Sequence, residues 1–487
     1  MTRLPTRATR VTALQTRTTR SSYAHRVPRV ASSAFDDGTT RETDARARLE
    51  DLRAWLGAFE RFSDRGVRLT ASDADGFGVR GVCAAPRGIA RGDVVVEVPR
   101  EAFLVGGARG GGGAFGRLVA ALLAETAAGE RSRWWPYVRT LPSDGEWHPL
   151  LWSEETRAAR LPTWSDAGAR LAARAATCAA QAEALRATDV GEDGARPTER
   201  DVRWASAVCS SRAFRLNLDG ELDDGDEDDE SDAAALAEDE ALLRNLSDLN
   251  DDEWDVGGDA VAFDDVDEDI DSNVLALVPW ADALNHSSDA DESALLRYDA
   301  RTRTAKLCAH TSYALGEQVF DSYGLNLSDT ELFLDYGFVD VRRARASEAE
   351  FTGRQFVDVA RDAFGDARLG VDFVEAESVI LRVNAESGVG ENALAFADYV
   401  LTANGSVSED EVVSHALRTF LRLCDDALAR VDEAFVAGCA DAVKRCREGE
   451  SLHGELASAY VIARECDGLR RAREAVRRQL DDELELA

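Results

Sequence analysis

Two tyrosines, an asparagine–histidine pair and a glycine turn are the residues of this chain whose types could do chemistry together. Asn285 and His286 stand in Leu277-Val278-Pro279-Trp280-Ala281-Asp282-Ala283-Leu284-Asn285-His286-Ser287. Tyr323 falls near the end of Gly316-Glu317-Gln318-Val319-Phe320-Asp321-Ser322-Tyr323-Gly324, and Tyr336 lies in Leu334-Asp335-Tyr336-Gly337-Phe338-Val339. An amide and an imidazole can satisfy the polar groups of a bound small molecule, and a phenol hydroxyl can assist a transfer to nitrogen. Upstream, Asp75-Gly76-Phe77-Gly78 offers backbone that a ligand can approach closely. Arg212 could pair with a carboxylate. Taken singly, each has an ordinary reading too: a helix cap or core histidine, two core aromatics, a plain turn, a helix-surface ion pair.

Composition removes several other chemistries. The eight cysteines, at 83, 178, 209, 308, 424, 439, 446 and 466, form no C-x-x-C pair, and the six histidines form no H-x-x-x-H pattern. That spacing supports neither a zinc site nor a secreted disulfide framework, so reduced, mostly buried thiols and no metal are expected. A formal net charge of -34 argues against nucleic acid as partner and toward protein. No apolar run approaches the roughly 20 residues of a membrane span. With 487 residues, two domains plus appendages are expected.

The elements that must position these residues can be read in outline. Met1 to Ala34 lacks Asp and Glu but carries seven arginines among many Thr and Ser, so residues 1–41 read as an organelle transit segment, with plastid favoured over mitochondrion. Leu49, Leu52, Trp55, Leu56, Phe59 and Phe62 recur at helical steps. Val94 to Val98 is a β-branched strand closed by Pro99. Residues 115–214 are helical in pattern. Residues 218–272 read as an acidic disordered insertion, because 25 Asp and Glu against the single Arg244 leave too little apolar area to offset ordering. Strands return at Leu275 to Val278, Ala294 to Tyr298, Ala305 to Ala309 and Gln318 to Phe320. A helix follows at Asp329 to Tyr336. Residues 343–487 read as helical throughout, including Glu391 to Thr402, Glu409 to Gly438 and Leu456 to Leu480.

In this order, N-H-S, S-Y-G and D-Y-G-F resemble the SET domain of the plant Rubisco large-subunit methyltransferase family. Trp55, the Asp75 to Gly78 turn and the strand ending Val98-Pro99 resemble that family's amino-terminal SET half. Trp135-Pro136-Tyr137, Leu141-Pro142 and His148 to Glu155 resemble its helical insert, and Ser211-Arg212-Ala213-Phe214 the motif before the Asn-His pair. The resemblance implies an α+β fold: a SET domain of short strands over 42–342, with its helical insert, followed by an all-α substrate-binding domain. It implies S-adenosyl-L-methionine as methyl donor and a lysine-bearing protein as acceptor, with the enzyme a monomer. Tyr323 would be the catalytic tyrosine and Tyr336 would line the acceptor channel. Asp75, Gly76, Phe77, Gly78, Arg212, Asn285 and His286 would hold the cofactor. One animal branch of the family methylates histidine, which leaves a histidine acceptor open; retention of both tyrosines favours lysine. An inactive scaffold that holds basic proteins is the alternative from another class. Two departures stand out: about four extra residues between Gly81 and Gly88, and the acidic insertion itself, whose closure cost grows only logarithmically with length.

Overall fold

The computed structural model describes residues 38–65, 67–69, 82–83, 88–107, 113–142, 145–187, 196–218, 273–290, 294–324, 327–341, 348–364, 379–402, 407, 411–444 and 451–486. The expected transit segment up to residue 37, the Asp75 to Gly78 turn and residues 219–272 of the acidic stretch lie outside them. The helical spacing after residue 42 is realised only as far as Leu56, in α1 (Gly38–Leu56), which buries Leu49, Leu52 and Leu56; Phe59 and Phe62, expected on the same helix, lie beyond its end. Beyond it β1 (Arg68–Leu69) and β2 (Val82–Cys83) pair antiparallel. Then come β3 (Val94–Pro99), buried on both faces as its β-branched run requires, and β4 (Leu104–Val105).

The alanine-rich region is a set of helices broken where proline and tryptophan interrupt it. These are α2 (Ala114–Ala128), α3 (Trp135–Val138), α4 (Glu154–Arg160), α5 (Asp166–Ala187) and α6 (Glu199–Arg212). Ser153 caps α4, and Thr198 with Asp201 forms a reciprocal capping box on α6. The chain leaves α6 directly into β5 (Ala213–Asn217), which pairs with β6 (Asn273–Leu277) from Ala213↔Leu277 to Asn217↔Asn273. β4 covers the other edge of β6. The two ends of the acidic stretch are therefore held side by side by one hairpin.

β7 (Asn285–His286) follows, then β8 (Arg297–Asp299) and β9 (Thr304–Cys308), which stack with β3 in the order β3-β9-β8. β10 (Phe320–Asp321) returns parallel to β7. α7 (Asp329–Tyr336) spans the expected residues. Ser328 and Glu331 make its capping box, and Gly337 ends it in the left-handed region at φ 80°. A β-carbon on Gly337 would stand 2.6 Å from the Trp147 carbonyl oxygen. Gly337→Ala is accordingly expected to destabilise the fold by about 1–3 kcal/mol or more, read as a lowered urea midpoint. β11 (Phe338–Asp340) continues from that cap.

The class is α+β as expected, but the carboxy-terminal region is not wholly helical. β12 (Glu348–Thr352), α8 (Gly353–Phe364), β13 (Ile380–Asn384) and β14 (Gly388–Val389) place a three-stranded antiparallel sheet, β12-β13-β14, at its start. Polar residues alternate along β13, whose burial alternates with them, and so short a period carries no helical signal. α9 (Glu391–Thr402) has the expected limits. The long helix expected next is two, α10 (Val412–Leu428) and α11 (Glu433–Val443), because Asp432 accepts from the Ala434 and Phe435 amides and starts a new helix. β15 (Ser451–His453) pairs with β11, and α12 (Gly454–Leu486) closes the chain. At 33 residues α12 is about 50 Å long. Its Ala457 to Cys466 half joins the main core, while Ala472, Val476 and Leu480 join a second core built from Ala349 to Cys424. Among the described residues no helix is long and apolar enough to cross a membrane. Burial holds the thiols of Cys178, Cys424 and Cys466 up at about 12.

Candidate active site

The Asn-His loop is set by an unusual turn. β6 runs through Pro279 into Trp280, which adopts φ 77° and ψ -48°, a strained geometry for a residue with a side chain. Burial of the indole, edge-on to Phe62 with ring centres 5.8 Å apart, helps to hold it there. After a short turn at Ala281–Ala283 the chain enters β7, where Asn285 pairs with Phe320 and His286 with Asp321. The parallel pairing is closed by the Ser287 amide donating to the Asp321 carbonyl at 3.1 Å. It brings the Asn-His pair beside the strand that leads to Tyr323.

Four rings gather at that junction. Tyr323 and Tyr336 are stacked, with centres 4.5 Å apart and planes at 23°. His286 lies 5.2 Å from Tyr323, and Phe338 stands 6.2 to 6.4 Å from all three. The Tyr323 hydroxyl donates to the Leu284 carbonyl at 2.8 Å, and the Tyr336 hydroxyl to the Tyr323 carbonyl at 3.4 Å. Burial, reinforced by the carboxylate of Asp335, pushes the Tyr336 phenol well above its usual range. It therefore stays a hydrogen-bond donor.

His286 is a strut of this arrangement. Its Nδ1 accepts from the Tyr323 amide at 3.1 Å, which assigns the ring proton to Nε2. Nε2 faces Ser288 Oγ at 3.4 Å, and that hydroxyl donates to Asp340 at 2.6 Å. Both ring nitrogens are thus engaged with protein. Asn285 is half-buried beside it. Arg212, at the end of α6, is buried behind the loop; its Nη1 lies 3.1 Å from the Asp282 carbonyl oxygen and 3.5 Å from Oδ2. That Oδ2 also accepts from the Tyr137 hydroxyl at 2.9 Å. Arg212 therefore ties the helical insert to the Asn-His loop.

No family model matches the chain, and no curated protein matches its sequence. Solved structures do. A crystal structure of the SET domain of LSMT bound to lysine and AdoHcy aligns over 90% of this chain and 93% of its own, with TM-score 0.60 at 16% identity. A structure of Rubisco LSMT bound to AdoMet aligns with the same coverage, TM-score 0.59 and 17% identity. The chain has a Rubisco LSMT-like SET fold.

Within the SET fold, α7 carries Tyr336 and is clamped at both ends. At its carboxy-terminal end Arg174 of α5 lies 2.7 Å from the Asp335 carboxylate and donates to the Leu334 carbonyl at 3.1 Å. The Asp335 carbonyl accepts from His148 Nε2 at 3.1 Å and from Ser210 at 3.2 Å. Burial holds the His148 imidazole down at about 3, so it stays neutral as Nε2–H. Sequence reading missed Arg174 and Ser210 and named His148 only within the insert motif, without a role; the three lie 125 to 187 residues from their partners on α7. Asp335 was visible in D-Y-G-F, without a role.

At the amino-terminal end, Asp329 faces Arg464 at 3.6 Å, and Thr330 donates to Glu465 Oε1, which also accepts from the Ala167 amide, both at 3.1 Å. Loss of water and the nearby Asp166 carboxylate push the Glu465 carboxyl up from 4.5 to about 8, against the two hydrogen bonds and Arg170. The folded protein thus holds this proton more tightly than the unfolded chain. Its contribution to stability is whole below about pH 4.5 and is lost as pH rises toward about 8. Melting temperature is expected to fall between about pH 5 and about pH 8, and less steeply in Glu465→Gln; parallel slopes would refute the assignment.

Proposed function

We propose that the chain is an S-adenosylmethionine-dependent protein-lysine N-methyltransferase. The observation that carries the reading is the stacked Tyr323–Tyr336 pair beside the Asn-His strand in a SET fold. When bound, S-adenosylmethionine would supply an electrophilic methyl group on a sulfonium. The site suits such a group: aromatic faces attract a diffuse cation, and the buried Trp280 Nε1 and Ser322 Oγ have no partner among the described residues. Asn285 with the Asp75 to Gly78 segment would hold its polar ends, with His286 and Arg212 fixing the frame around them.

The chain's own residues do the rest. Because the Tyr323 O–H donates to Leu284, its oxygen is left to accept, from an amine N–H or from the polarised C–H of an activated methyl group. Alignment supplies most of the rate in an in-line displacement. A lysine with pKa about 10.4 is neutral roughly once in a thousand near pH 7.4, so a water-poor enclosure that favours the free amine is needed. The solved structure of the LSMT SET domain bound to lysine supports that acceptor. The acid-free, arginine-rich segment before Phe35 supports action in a plastid, on a soluble protein partner.

The full chain incubated with labelled S-adenosylmethionine and stromal extract is expected to label a protein band. Mass spectrometry should place the added methyl groups on lysine. Label on histidine would move the reading to the histidine branch. No label together with no calorimetric binding of S-adenosylmethionine would overturn it in favour of a scaffold.

A further inference from the structure

The Asp321 side chain sits beside this machinery without a part in holding it; only its backbone joins the β7–β10 pairing. The residue ends β10 at 1% exposure. Its Oδ1 accepts from the Ser322 amide at 2.8 Å, while Oδ2 is buried and has no partner among the described residues. A carboxyl out of water with half its hydrogen-bonding capacity unused is costly. A core position with no ligand to meet would be better filled by hydrocarbon.

Register shows where the carboxyl points. Asp321 pairs with His286 across the parallel β7 and β10 strands, and residues so paired project to the same side. On that side the His286 ring lies against Tyr323 and Phe338. The Tyr336 phenol is raised in part by the Asp321 charge, as is that of Tyr313, which also feels Glu317. The Tyr313 hydroxyl lies 3.0 Å from His310 Nδ1. Burial holds the Asp321 carboxyl well above the usual carboxylate range, and the Ser322 amide is its one offsetting contact among the described residues.

We propose that Asp321 selects the acceptor: its buried Oδ2 takes the hydrogen bond and then the proton of a primary ammonium, delivering lysine to the site as a free amine. This rests on the methyltransferase reading above. Burial out of water favours the protonated carboxyl at rest. Entry of a cation into the same enclosure reverses that preference, so the resting proton leaves to solvent as the ammonium docks. The ammonium N–H bond then breaks with its electron pair staying on nitrogen, and the proton passes to Oδ2. Nitrogen is left with the lone pair that methyl transfer requires, and the carboxyl, protonated again, is back in its resting state; the one proton lost overall is the one released on docking. A neutral side chain of the same shape releases no proton on docking.

The test is calorimetric titration of the full chain, saturated with S-adenosylhomocysteine, in buffers of differing ionisation enthalpy. The probes are N-acetyl-lysine amide, its norleucine counterpart and N-acetyl-histidine amide. About one proton is expected to be released per lysine probe bound and none with norleucine. Asp321→Asn should keep its affinity for S-adenosylhomocysteine, lose the proton release and bind the lysine probe about tenfold or more weakly. Infrared difference spectra should show a protonated-carboxyl band at neutral pH that is absent from Asp321→Asn and shifts when the lysine probe binds and Oδ2 hydrogen-bonds to the amine. Equal lysine affinity and proton release in both proteins, or a preference for the histidine probe, overturns the proposal and leaves methyl transfer standing. If Asp321→Asn does not fold, the wild-type band decides, and a band absent or unmoved by lysine rejects the proposal. Failure of wild type to bind S-adenosylhomocysteine overturns the methyltransferase reading, and this one with it.

Discussion

Tyr323→Phe is expected to lower methyl transfer by about 10²–10³-fold, the size of effect seen when one fixed polar group is removed at a reacting centre. The ring stack with Tyr336 and the His286 bond to the Tyr323 amide do not involve the hydroxyl, so the scaffold of the site should survive. The structural cost is confined to the bond to the Leu284 carbonyl, about 0.5–1.5 kcal/mol. Initial rates at saturating donor, set beside donor affinity and the melting temperature, separate the two effects. A rate within threefold of wild type would remove Tyr323 from the chemistry. Tyr336→Phe should do less, since its hydroxyl is only loosely held, at 3.4 Å from the Tyr323 carbonyl oxygen.

The second large effect is one of stability. Arg174 and Asp335 are an ion pair with side chains only 5% and 10% exposed, and burial outweighs the attraction enough to hold the Asp335 carboxyl above its ordinary range. Arg174→Met leaves that carboxyl without its partner and also strips a donor from the Leu334 carbonyl. Loss of one member of such a pair is expected to cost about 3–5 kcal/mol. The double substitution Arg174→Met with Asp335→Leu removes both charges and should recover much of the loss. Urea midpoints of the four proteins give the coupling directly; additive losses would show that the pair acts independently. Because Asp335 precedes Tyr336 in the chain, Arg174→Met should also slow methyl transfer in whatever fraction remains folded.

Local signals were enough for some of this molecule. α7 was readable residue for residue because Ser328, Glu331 and Gly337 punctuate it within ten positions. β3 was readable because a β-branched run met a proline, and α9 because its apolar spacing is uninterrupted. What could not be read was built from distance. β15 is three residues long and exists because β11, more than a hundred positions earlier, offers it an edge. β12 to β14 are short and half-polar, with a helix between the first two. The break between α10 and α11 did have a local sign, the capping Asp432, which the run of helical residues around it outweighed. The same holds for the site. Tyr323, Tyr336 and Asn285-His286 stood in motifs, whereas Arg174 looked like any arginine on an alanine-rich helix, and the buried state of Asp321 appears only when β10 lies against β7.

The hairpin of β5 and β6 has a practical meaning. Asn217 and Asn273 face each other as registered partners, so whatever chain joins them enters and leaves at one point. Residues 219–272 carry 24 of the 34 net negative charges, yet their length imposes no reach on the rest of the protein. That junction is a socket: a two-residue turn, a fluorescent domain or an affinity tag can be spliced there with the strand register unchanged. Charge could then be varied on one chassis while the tyrosine site is held constant.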